Sequence, residues 1–298
     1  MKFFCPNLNC SKQHCANQIV KDGFFIRRSD SKKIQRYKCK NCQTRFSAAT
    51  FSPTVNQNKR RINHMIEGLL SSGVSMRRIA LIVRTTRTTV KRKLDFLSKR
   101  AKLRQNKLLE EIKKYKISHI QIDDLITIEH TKLKPLSISI AVDKNYRTIL
   151  GAQVSKIPAF GHLAKMSVNK YGKRESELKD GLNKLFQKLI GINHPDFQID
   201  SDEHTLYPLF IKKYFPAAKH NTYPSIKGAV SGQGELKKTI HDPLFVINHT
   251  CAMFRYGISR LIRRTWNTTK DIQELKKHID VYINFYNKKL VKLPYKIS

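Results

Sequence analysis

Read from its start, the chain changes its apolar period twice. Apolar clusters at Ile19-Val20, Phe24-Phe25-Ile26 and Ile34 to Tyr37 predict two short strands around a turn. From Ile62 the spacing is helical: Ile62, Met65, Ile66, Leu69 and Leu70 run to a stop at Ser71-Ser72-Gly73. Ser75 can cap a second short helix carrying Ile79, Ala80, Ile82 and Val83. After Arg84-Thr85-Thr86, a third helix turns Val90, Leu94 and Leu97 inward. The amphipathic stretch 97–116 then reads as a connecting or dimerising helix.

From His119 the period drops to two. Ile120 to Asp123 predicts one strand, ending at Asp123-Asp124. Leu136, Ile138, Ile140 and Val142, alternating with Ser137, Ser139 and Ala141, predict a second. Asp143-Lys144-Asn145 marks a turn, and 148–154 a third strand. A helix with Leu178, Leu182, Leu185, Phe186 and Leu189 follows, then a strand at 197–199, a helix over 206–214 and a strand near 219–223. A last helix runs from about Pro243 with Ile247, Cys251, Phe254, Ile258 and Leu261 as its stripe. Strands first, then strand and helix in alternation, predict an α/β layered domain. Three regions result: 1–52, 56–116 and 117–298.

Charge decides what such a chain meets. Its 298 residues hold 58 Lys and Arg against 22 Asp and Glu, a formal charge of +36. Self-repulsion of that size calls for a polyanionic partner, with nucleic acid ahead of an anionic membrane. With 40% apolar residues, the chain is too apolar for a disordered basic tail. Residues 1–117 carry 29 of the cations and only 6 acids, so the first part is the better binding surface. Between Arg84 and Arg104 stand nine cations and one Asp; the predicted third helix shows Arg87, Lys91, Arg92 and Lys93 outward. Three short helices with a tight turn before a basic one match a helix-turn-helix, whose last helix enters the major groove of double-stranded DNA. A generic bundle with a solvated basic face is the plainer alternative. No apolar run reaches membrane-spanning length, and the opening residues start no signal peptide, so a soluble, intracellular chain is expected.

Five of the six cysteines lie within the first 42 residues. In a reducing compartment, clustered cysteines suggest metal. Cys5-x4-Cys10 and Cys39-x2-Cys42 offer two thiolate pairs on either side of the predicted strands, the plan of a zinc ribbon. Zn²⁺ there would supply stability that so few residues lack. His14 and Cys15 are the substitutes should Cys10 not be a ligand. Arg27, Arg28 and the 38–45 side chains would line a phosphate-facing surface. Cys251 reads as core. His130, His162, His220 and His249 read as structural or solvated. Trp266 either stacks on a base or packs, and 156–174 reads as a basic, DNA-contacting loop.

In this basic chain, Asp123-Asp124 and Asp200-Ser201-Asp202 stand at predicted strand ends. On neighbouring strands their carboxylates would converge and suit Mg²⁺; otherwise they are turn residues or salt-bridge partners. The order of regions resembles that of short bacterial insertion-sequence DDE transposases of the insertion-element-one type. The motifs that carry this are Cys5…Cys10…Cys39-Lys40-Asn41-Cys42, Ile122-Asp123-Asp124, Ala141-Val142-Asp143…Arg147-Thr148-Ile149-Leu150-Gly151, Ser201-Asp202…Tyr207 and Arg255…Ser259-Arg260-Leu261-Ile262-Arg263-Arg264-Thr265.

The resemblance implies an RNase H-like catalytic domain, a mixed sheet with flanking helices. It implies Asp123 and Asp202 as the first and second catalytic acids on Mg²⁺ or Mn²⁺, with Asp200 the competitor for the second role. It implies DNA contacts from Arg255, Arg260, Arg263 and Arg264. The family's third acid, a Glu seven residues before the Arg, is here Asn248; Glu235 is the other candidate. Asp124 stands where the family often has Glu. The expected activity is binding of terminal inverted repeats, strand cleavage, and transfer to target DNA by a homodimer or larger assembly. The alternative is a non-catalytic DNA-binding protein with a decayed or co-opted core.

Overall fold

The computed structural model describes residues 3–28, 30–55, 57–224, 242–262 and 268–292. The chain forms a mixed α/β structure in two compact units, Met1–His64 and Met65–Ser298. In the first, β1 (Ile19–Arg27), β2 (Lys32–Cys39) and β3 (Arg45–Ser47) form an antiparallel sheet in sequence order. The register of β1 on β2 slips between Lys21 and Phe24. Gly23 sits in that slip with a φ of +68°, a left-handed conformation that favours glycine. Phe46 is buried at 6% exposure, with Tyr37 and Phe51 packed around it. So small a unit has room for little more core than that.

The second unit takes in all but the first two residues of α1 (Asn63–Leu70), followed by α2 (Met76–Ile82) and α3 (Arg87–Tyr115). Ser75 caps α2 and Thr86 caps α3, each side-chain oxygen accepting a backbone N–H of the first turn. Ile66, Leu70, Ile79, Val90 and Leu94 are fully buried, as their spacing predicts. One expectation changes here: the third helix and the connecting helix are a single element, because nothing between Arg87 and Tyr115 breaks it. Nor do these helices stand apart as a compact unit of their own. Ser98 donates to Asp280, Asn287 to Gln105, and Gln105 to the carbonyls of Ile149 and Leu150, all within the second unit.

Its sheet contains β4 (Ile117–Glu129), β5 (Thr131–Asp143), β6 (Ile149–Lys156), β7 (Asn193–Asp202) and β8 (Lys219–Tyr223), in the order β6-β5-β4-β7-β8. The first three pair antiparallel; β7 lies parallel to β4, and β8 parallel to β7. One face is covered by α5 (Leu178–Leu189), α6 (Tyr207–Tyr214) and the end of α3, which meet Ile120, Ile122, Phe197 and Ile199. The other is covered by α7 (Phe245–Gly257) and α8 (Ile272–Lys289), which meet Leu125, Ile138, Ile140 and Val142. Gly257 has no room for a side chain: a Cβ there would lie 2.2 Å from the Tyr282 ring.

Three further expectations are corrected. β4 does not end at Asp123-Asp124 but pairs with β5 on to Glu129, so these acids lie mid-strand. Residues 156–174 are not one loop; α4 (Leu163–Tyr171) forms within them, its Ser167 hydroxyl donating to Leu133 O at 2.8 Å. The last predicted helix ends at Gly257, leaving Ile258 and Leu261 buried beyond it. Among the described residues, no helix is long and apolar enough to cross a membrane.

Candidate functional site

Two groups of side chains converge, one in each unit. In the first, backbone hydrogen bonds fold both cysteine pairs into tight turns. Cys10 N donates to Asn7 O, Cys5 N to Gln13 O, and Gln43 N to Cys39 O, with Gln43 in the left-handed region. The sulfurs of Cys5, Cys10, Cys39 and Cys42 all lie within 4.8 Å of one another. Cys5 and Cys42 are 3.4 Å apart, Cys10 and Cys39 3.9 Å. A tetrahedral Zn²⁺ with Zn–S of about 2.3 Å separates its sulfurs by about 3.8 Å, so the four thiols can hold a metal such as zinc. Burial pushes the Cys5 thiol up to about 12, while hydrogen bonding to Thr44 draws Cys42 down to about 6. Buried thiols resist ionisation unless a cation compensates them, and the cluster offers that cation four ligands. Cys15 is exposed and takes no part, so the substitute ligands are not needed.

In the second unit the register sorts four polar side chains into rows. Gln121 and Asp123 on β4 point to the α7 face, as do Asp200 and Asp202 on the parallel neighbour β7. The first row is structural. Gln121 donates to Asp200 and to Pro243 O and accepts Ile247 N at 3.0 Å, fastening the start of α7 to the sheet. Asp200 is fully buried with His119 Nε2 and Lys144 Nζ each 2.9 Å away and Asn221 at 3.0 Å. Burial alone would raise its acid, but these partners outweigh burial and hold it well below the carboxylate range. Asp200 is thus a buried, fully partnered carboxylate of the core.

The second row is Asp123 and Asp202. Ile122 pairs with Ser201, so the next residue on each strand stands beside its counterpart. Asp202 Oδ1 accepts the backbone N–H of His204 at 3.1 Å, and Asp123 Oδ1 that of Asp124 at 2.7 Å. Asp123 is raised to about 7, first by burial and then by the carboxylates of Asp202 and Asp124; Arg255 on α7 opposes this. A buried carboxyl that feels two others is an arrangement short of positive charge. Asp124 points to the opposite face, where the Ser137 and Ser139 hydroxyls donate to its Oδ1. Its Oδ2 and the Tyr207 hydroxyl are both buried there without a well-formed hydrogen bond.

The remaining predicted residues divide. Arg84, Arg87, Lys91 and Arg92 are exposed or half-exposed at the α2–α3 turn and the first turns of α3. Lys93 is not on that face: at 6% exposure it is buried beside Leu94, because position 93 falls on the inward stripe of α3. Arg255 lies on α7, within electrostatic reach of Asp123. Arg260 is half-buried, with its guanidinium 3.4 Å from Thr269 Oγ1. Asn248 is exposed on α7, its amide donating to Asp242 at 2.9 Å. Glu235, Arg263, Arg264 and Trp266 lie outside the described residues.

Among the described residues, the four cysteines are the only group of three or more His, Cys, Asp or Glu side chains with converging ligand atoms, and Asp123 and Asp202 belong to no such group. Sequence reading missed Gln121, whose signal is a lone amide at an inward strand position. No family model matches the chain, and no curated protein matches it in sequence.

Proposed function

We propose that the chain is a DNA transposase of the DDE type, acting on double-stranded DNA with a zinc-ribbon unit, a helix-turn-helix and an RNase H-like core. The observation that carries this reading is the parallel pairing of β4 with β7, which sets Asp123 and Asp202 side by side on one face beneath α7. A five-stranded sheet with three antiparallel strands leading and two parallel ones following is the arrangement expected of an RNase H-like fold.

Mg²⁺ or Mn²⁺ held by Asp123 and Asp202 would polarise a phosphodiester and activate the attacking oxygen. Two hard oxygen donors, one with its proton held near neutrality by burial and neighbouring carboxylates, fit such an ion. Asp123 and Asp202 would carry the charge. Arg255, across from them, is suited to an approaching phosphate. α2, its turn and the start of α3 would hold the DNA, with Arg87, Lys91 and Arg92 toward the groove. Two DNA ends must be joined, so a homodimer or larger assembly is implied. The four cysteines would hold a structural Zn²⁺.

One observation favours the second reading, a non-catalytic DNA-binding protein: the position where the resemblance calls for a third acid is Asn248, which brings no carboxylate of its own and donates its amide to Asp242. Strand cleavage of the terminal repeats that flank the coding DNA decides between them. The parent should cut in Mg²⁺, and Asp123→Asn should lose at least a hundredfold in rate while binding the same DNA as tightly. A parent that binds its ends but never cuts them would select the second reading.

A further inference from the structure

The half of the β1–β2 hairpin remote from the cysteines carries large apolar side chains in the open. Phe24, Phe25 and Ile26 are 54%, 38% and 70% exposed. Being consecutive, they occupy both faces of the ribbon. Phe24 and Ile26 share one face with their cross-strand partners Gln35 and Lys33, and Phe25 shares the other with Ile34. Cations surround them: Arg28, Lys32 and Lys33 are exposed, and Lys33 Nζ lies 4.7 Å over the Phe24 ring. Arg27 is held by Asp30 across the turn, which keeps the tip in shape.

Such a surface asks for apolar atoms and anions together. The major groove of duplex DNA offers both, thymine methyl groups on its floor and phosphates along its rims, and at about 12 Å wide it admits a two-stranded ribbon. A second copy of the same face would set Arg28, Lys32 and Lys33 against themselves, so charge disfavours self-association.

Resting on the reading of duplex DNA as partner, we propose that this hairpin is a second DNA-reading element besides α3. It lies in the major groove with Phe24 and Ile26 toward thymine methyls and with Arg28, Lys32 and Lys33 on the phosphates.

Anisotropy titrations of the full metal-loaded chain test this. The probes are a labelled A/T-rich duplex, the same duplex with uracil replacing thymine, and the matching single strand. The parent should prefer the thymine duplex several-fold. Phe24→Ser with Ile26→Ser should lose that preference and about tenfold in affinity, with the salt slope unchanged. Lys33→Ala should lower the slope by about 1. Zinc content shows whether the double variant keeps its cluster; if it does not, Ile26→Thr at the most exposed position carries the test.

Unchanged affinity and preference in these variants would overturn the hairpin's role while leaving the DNA reading standing. A parent that binds no duplex would overturn both. Loss confined to the single strand, to anionic vesicles, or to a sedimenting dimer would overturn the groove in favour of that occupant.

Discussion

Asp123 is the residue whose surroundings differ most from what its neighbours in sequence suggest. In a chain of net charge +36, a carboxylate would be expected to find a cation and become a stronger acid. Burial beside Asp202 and Asp124 instead raises it from 3.8 to about 7. An acid whose folded value lies above its unfolded one binds its proton more tightly in the fold. Its stability contribution is therefore full below about 3.8, is lost as pH rises toward 7, and stays lost above. Asp123→Asn removes that charge. In metal-free buffer the variant should be the more stable protein near pH 8, by a few kcal/mol at most, since each tenfold change in proton affinity is worth about 1.4 kcal/mol. The gain should shrink near pH 5. Denaturant unfolding of the second unit at the two pH values measures this, and a gain independent of pH would contradict the electrostatic origin. Asp200, on the strand beside it, is the contrasting case: it has the partners Asp123 lacks, and its place is in the core.

Between α2 and α3, the connection sets how the basic helix is presented. α2 ends with Arg84 N bonded to Leu81 O and Thr85 N to Ala80 O, and Arg84 adopts a φ of +51°. Glycine is the usual residue at such a helix end, since a side chain in the left-handed region costs about 1 kcal/mol. On the proposed DNA reading, the exposed Arg84 side chain would meet a phosphate, a contact that glycine could not make. Arg84→Gly is accordingly expected to stabilise the second unit by up to about 1 kcal/mol while weakening DNA binding and reducing its salt slope by about 1. A thermal melt and a salt titration of the same variant check both signs; lower stability with unchanged affinity would contradict the argument. α3 itself serves two ends: its first turns carry the exposed cations, and its later turns bond to α8 through Ser98 and Asp280 and through Gln105 and Asn287.

For the molecule as a whole, the division into two units separates two sources of stability. The second unit has extensive apolar layers on both faces of its sheet. The first has the cysteine cluster and a few aromatic rings, too little apolar burial to order it alone. Chelation, or Cys39→Ser, should release one Zn²⁺ per chain and unfold residues of the first unit, while the unfolding transition of the second stays where it was. Metal analysis paired with calorimetry reads both. Full retention of zinc by Cys39→Ser would contradict the four-cysteine site, and a collapse of the second transition would contradict independent cores.

Local chemistry is legible in the sequence alone. Cysteine spacing predicts the metal cluster because a knuckle's geometry is decided within a few residues. The change of apolar period at His119 predicts the three antiparallel strands because a strand's two faces are written in alternate positions. The caps at Ser75 and Thr86 are equally local. Periodicity also holds a signal for α8 that sequence reading missed, in Leu275, Ile279, Tyr282, Ile283 and Tyr286. Other facts depend on which strands lie side by side. Asp200 and Asp202 are indistinguishable as sequence, and only the pairing of β7 with β4 and β8, together with the approach of His119 and Lys144, commits one to the core and leaves the other beside Asp123. Lys93 and Arg92 are likewise adjacent cations, separated by which face of α3 is covered. The physical reason is the same in each case. A residue's type and spacing set what it can do, but burial and partners come from segments far away in the chain, and these decide whether its charge is neutralised, hidden or left for a ligand.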